Sequence, residues 1–116
     1  MGKRITERRQ HTRAEVAIKI SYTSLDRFFN DYALNISLGG IFIATDKPLP
    51  IGTRLKIFFS LPHVPQAITT TGEVVRVSDG SDGELKGMGI RFADLSQQAK
   101  EIIDQVVMEK AVAVRT

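Results

Sequence analysis

Cysteine and tryptophan are both missing from this 116-residue chain. Without a thiol there is no disulfide staple, no thiolate nucleophile, no iron–sulfur cluster and no cysteine-based zinc site. Imidazole is scarce as well. His11 and His63 are the only two, far apart in sequence, and they lack the clustering of a transition-metal site. Long apolar runs are also missing: stretches such as Ile41-Phe42-Ile43-Ala44 and Ile57-Phe58-Phe59 fall well short of the roughly 18 residues that mark a spanning helix. Met1-Gly2-Lys3-Arg4 is followed by polar residues, which does not read as a secretory signal. The expectations are therefore no metal, no cofactor, no membrane span and a cytoplasmic location.

What is present suits a soluble globule. Hydrophobic residues make up 42% of the chain and charged residues 25%, enough apolar surface for one core and too much for disorder throughout. The length fits a single domain. The net charge of +3 hides an asymmetry. Residues 1–13 carry Lys3, Arg4, Arg8, Arg9 and Arg13 against Glu7 alone, so all the excess positive charge sits there and the remainder is slightly acidic. Ile5 is the one sizeable apolar residue of that segment, which leaves little to bury, and a flexible basic arm is expected over residues 1–13. Arginine dominates the arm, and a guanidinium offers a planar donor fork that fits phosphate and also stacks on aromatic faces.

From Val16 the pattern has period two. Val16, Ile18, Ile20 and Tyr22 alternate with smaller or polar residues, as in a half-buried strand. A second strand covers about residues 28–34, and Asn35-Ile36-Ser37-Leu38-Gly39-Gly40 interrupts it before Ile41 resumes. Pro48, Pro50 and Gly52 mark a connection, and Leu55, Ile57 and Phe59 mark another strand. Residues 67–77 form a β-branched run in which Gly72 is the expected bulge. Two Asp-Gly pairs at residues 79–83 then lead into a hairpin partner at residues 88–92. Leu95, Ala99, Ile102, Ile103, Val106 and Val107 change the period to three and four, the stripe of an amphipathic helix, which either Asp94 with Gln97 or Ser96 alone would cap. Five or six strands and one helix close most economically as a mainly β fold, a small antiparallel barrel plugged by the helix. The expected divisions are the barrel at 14–94 and the helix and tail at 95–116.

Two short constellations stand out: Arg9-Gln10-His11-Thr12-Arg13, an RxxxR preceded by Arg8, and Asn35-Ile36-Ser37-Leu38-Gly39-Gly40, an [D/N]xSxxG. With Gly72-Glu73-Val74-Val75-Arg76 and Gly89-Ile90-Arg91-Phe92, they make the chain resemble the PilZ domain family of bacterial cyclic di-GMP receptors over nearly its whole length. The resemblance implies a six-stranded antiparallel barrel with a C-terminal helix. It further implies nucleotide contacts from Arg8, Arg9, Arg13, Asn35, Ser37 and Gly40, and a basic residue at position 8 implies an intercalated ligand dimer. Outputs implied in the same way are motility, biofilm and exopolysaccharide control through a protein effector.

The chemistry is coherent on its own terms. A ligand with two phosphodiesters and two guanines calls for cationic forks, and arginine serves both phosphates and guanine O6 and N7. Asn35 offers a neutral amide where the family often has Asp. Ser37 donates to phosphate or fixes the turn, and Gly40 lets backbone amides approach. With no tryptophan for stacking, Arg76 is the candidate for an additional contact. The function expected is a non-catalytic receptor that signals by ordering its arm, and the alternative is an interaction adaptor that does not bind the nucleotide. An enzyme is not expected, since nothing pairs Ser37 with a base. A nucleic-acid polymer is not expected either, because the barrel segment has no positive excess.

Overall fold

The computed structural model describes residues 14–25, 27–61, 64–81, 83 and 85–115. Segment 1–13, with the expected flexible arm and Arg8, Arg9 and Arg13, lies outside the described residues, as does His63. The elements are β1 (Ala14–Ser24), β2 (Arg27–Ile36), β3 (Gly40–Ala44), β4 (Arg54–Phe59), β5 (Ile68–Ser78), β6 (Gly87–Phe92) and a helix, α1 (Gln97–Arg115). The strands close into a barrel in the order β1-β2-β3-β6-β5-β4, with every neighbouring pair antiparallel. Two meanders, β1-β2-β3 and β4-β5-β6, are thus joined along two seams. At one, β1 pairs with β4 from Ile20↔Phe59 to Thr23↔Lys56. At the other, β3 pairs with β6 from Gly40↔Arg91 to Ala44↔Gly87.

Side-chain alternation fills the barrel. Ile18, Ile20 and Tyr22 of β1, Leu55, Ile57 and Phe59 of β4, and Met88 and Ile90 of β6 all point inward and are buried, as the period-two pattern requires. α1 supplies Ala99, Ile103, Val106 and Val107 to the same core, with Leu95 and Ile102 packed against it. Its first turn is capped by Ser96, whose Oγ accepts from the Ala99 N–H at 3.0 Å. Asp94 instead uses its carbonyl, which accepts from Thr70 Oγ1 at 2.9 Å.

Two expectations need correction. The interruption between β2 and β3 is shorter than residues 35–40, because β2 continues through Ile36 and β3 begins at Gly40. Gly72 is not a bulge: it pairs in regular register with Leu55 and Phe92. Crowding explains the glycine, since a Cβ there would lie 2.6 Å from Ile90 Cγ2 and 3.1 Å from Ile57 Cδ1. The register breaks fall elsewhere, between Glu15 and Ile18 in β1, between Ala33 and Asn35 in β2, and between Val74 and Arg76 in β5. Each adds local bend and twist, which closing six short strands demands.

Candidate functional site

Two of these bulges build the site. Ala33 and Ile36 both face the core, three positions apart, because the irregularity at Leu34 resets the alternation. Asn35 is thereby turned outward, opposite Phe42. In β5, Ile68, Thr70, Gly72 and Val74 are buried, and unbroken alternation would send Arg76 into the core. The irregularity at Val75 turns it out instead, opposite Gly89. Phe42 itself pairs with Gly89. One outward row therefore runs Asn35, Phe42, Gly89, Arg76 across four strands, about 14 Å from end to end at the usual strand spacing.

Arg76 lies along this row. Its guanidinium carbon is 5.5 Å from the centroid of the Phe42 ring, a cation–π arrangement. Gly89 leaves room for the crossing, since a Cβ there would already be in contact with Arg76 Cβ at 3.4 Å. A second row, Gly40, Arg91, Glu73, lies beside it. Arg91 Nη2 stands 3.5 Å from Glu73 Oε1.

The turn at residues 37–39 closes one end of the site, and Ser37 holds it. Its side chain is fully buried, and Oγ accepts from the backbone N–H of Gly39 at 3.1 Å and of Gly40 at 3.2 Å. The Ser37 N–H donates to the Gly40 carbonyl at 2.9 Å. Gly40 has a packing reason to be glycine: a Cβ would collide with the Ile90 carbonyl oxygen. The Phe92 N–H donates to the Gly39 carbonyl at 2.9 Å, which ties the turn to the end of β6.

These residues line a cleft of about 740 Å³ across the β3/β6 seam, with Asn35, Phe42, Arg76 and Arg91 on its walls. It brings together Asn35, Ser37 and Arg76 of the sequence-derived candidates, with Gly40 beside them. It also adds Phe42 and Arg91, which sequence reasoning did not single out. Two guanidinium groups, an aromatic ring and an amide suit a planar anionic ligand. A second cleft of about 520 Å³ lies along β1 and β4, lined by Ala17, Lys19, Phe58 and Leu61 among others. It carries a single cation and no comparable chemistry. Among the described residues no group of three metal-ligating side chains occurs, and no helix is long and apolar enough to cross a membrane.

The register adds one positional fact. Ala14 pairs with Ile36 and Glu15 with Asn35. The described chain therefore begins beside the turn and the cleft, and the RxxxR segment ends at residue 13, directly before it in sequence.

Comparison with known proteins is consistent with this picture. A family model described as PilZ domain matches residues 7–109. Among solved structures, the Bacillus subtilis inhibitor of motility (MotI/DgrA) superposes with a TM-score of 0.82 at 18% identity, over 92% of this chain and 53% of that one. The PilZ domain of YcgR from Escherichia coli, solved with c-di-GMP, gives 0.70 at 18% identity, over 93% and 95%. The PilZ domain of CeSA from a cellulose-synthesizing bacterium gives 0.60 at 13% identity, over 84% and 95%. The chain spans about half the length of the Bacillus protein. No curated protein matches it significantly in sequence.

Proposed function

Since the chain belongs to the PilZ domain family, we propose that it is a non-catalytic receptor for cyclic di-GMP that passes the signal to a protein effector. The observation that carries this reading is the register Ala14↔Ile36. It starts the described barrel beside the [D/N]xSxxG turn and a cleft lined by Asn35, Phe42 and Arg76, and the RxxxR segment directly precedes that start in sequence. Arg9 and Arg13 reach phosphate and guanine edges from the arm, and Asn35 and Arg76 meet the ligand from the barrel. Ser37 and Gly40 contribute by building the turn, because the Ser37 hydroxyl is engaged with its own backbone amides.

Binding orders the arm. Five bases in thirteen residues repel one another, and a ligand with two phosphates supplies the missing countercharge, so ligand and arm together form a surface for the effector. Arg8, next to the RxxxR, contacts the second molecule of an intercalated ligand dimer.

Calorimetric titration with cyclic di-GMP tests the reading. The expected result is micromolar or tighter binding with two ligands per protomer. Removing one member of a desolvated charge pair costs roughly 2–5 kcal/mol, so Arg9→Ala or Arg13→Ala should weaken binding at least about tenfold. Arg8→Leu should lower the ratio towards one. A parent protein that releases no heat and binds nothing would leave the adaptor alternative standing in its place.

A further inference from the structure

Arg91 belongs to none of the motifs that the function uses, yet it stands in the cleft. Its row, Gly40, Arg91, Glu73, begins at the turn, and the next residue of β6, Phe92, is hydrogen-bonded to Gly39. The base of Arg91 is therefore fixed to the turn that closes the cleft, while its side chain remains 65% exposed. Glu73, the cross-strand neighbour, approaches the guanidinium at 3.5 Å from the side away from Gly40. It is not among the cleft-lining residues.

We propose that Arg91 is a further phosphate contact of this cleft and that Glu73 is its built-in competitor, which lowers the affinity by holding the guanidinium away from the ligand. The proposal rests on the cyclic di-GMP reading and deepens it. A cyclic dinucleotide carries two phosphodiesters on opposite sides of its ring. In that reading the RxxxR segment, which directly precedes Ala14 in sequence, serves one of them. Arg91 lies across the turn from Ala14, on the β6 side, and serves the other. Both states of Arg91 are charge-paired, to Glu73 without ligand and to phosphate with it. Half-exposed ion pairs between side chains are weak, so the exchange is readily reversible and the carboxylate acts as a brake rather than a lock.

The test is calorimetry with cyclic di-GMP on four proteins: the parent, Glu73→Gln, Arg91→Gln and the double variant, with thermal unfolding of each as a check on the fold. Glu73→Gln should tighten binding about threefold, the scale set by releasing a weak surface pair. Arg91→Gln should weaken it at least about fivefold, and it should flatten the salt dependence of the affinity, as loss of a phosphate contact does and a packing change does not. In the Arg91→Gln background, Glu73→Gln should change nothing. If the parent binds and Glu73→Gln binds equally well, the competitor role is wrong. If the tightening persists without Arg91, Glu73 acts by direct repulsion and the proposal falls. A parent that does not bind cyclic di-GMP at all removes the functional reading, and this inference with it.

Discussion

Tyr22 spends its one polar atom well. The side chain is fully buried, its hydroxyl donates to Asp31 Oδ2 at 2.8 Å, and its ring stacks on Phe29 at 4.9 Å between centroids. Burial first, and the Asp31 hydrogen bond second, push the phenol well above its ordinary value of 10.0. The sign of the pH effect follows. Above about pH 10 the unfolded chain gives up this proton and the folded protein keeps it, so stability is intact below that pH and falls as pH rises, by up to about 1.4 kcal/mol per unit. Urea unfolding at about pH 9 and about pH 11 should show a steeper loss for the parent than for Tyr22→Phe, even though that variant starts less stable for want of the Asp31 hydrogen bond. Equal losses would mean that Tyr22 ionises in the folded state as freely as in the unfolded one.

At the scale of elements, the turn at residues 37–39 depends on one hydroxyl. Ser37→Ala leaves the N–H groups of Gly39 and Gly40 without their acceptor, and a buried donor left unpaired costs about 1–3 kcal/mol. Thermal unfolding should show the midpoint lowered by several degrees, with cyclic di-GMP affinity falling as the cleft loses its end wall. An unchanged midpoint would assign the hydroxyl to the ligand instead of the turn. The strands were readable in the sequence because burial follows residue parity: Leu55, Ile57 and Phe59 could belong to nothing else. The bulges were not. Leu34 and Val75 look like ordinary strand residues, and their extra backbone unit comes from barrel closure, a long-range requirement that leaves no local mark. The bulge at Val75 turns Arg76 to the face opposite Val74, which is why Arg76 could be suspected only through the family resemblance. Arg91 read as a plain outward strand residue, and Phe42 as part of an apolar run. The Ser37 motif was visible, but only the packed turn reveals that its hydroxyl faces inward.

At the scale of the whole molecule, the barrel consists of two chain-local halves, residues 14–44 and 54–92, that meet along two seams. Contacts within a meander join residues close in sequence and close early during folding, whereas pairing β3 with β6 brings together residues nearly fifty positions apart and waits for the larger loss of chain entropy. Unfolding, by the same reasoning, starts where β3 parts from β6. The cleft lies across that seam, with Asn35 and Phe42 from one half and Arg76 and Arg91 from the other. A ligand seated there clasps the two halves, but only once both are in place, so it binds the native state and not the transition state. Cyclic di-GMP at a hundred times its dissociation constant should add about 2.7 kcal/mol of stability, and stopped-flow measurements should find nearly all of it as slower unfolding, with the refolding rate unchanged. Faster refolding would mean that the seam closes first. With the seam closing late, a ligand bound across it would act as a kinetic clamp, setting how long each molecule stays folded.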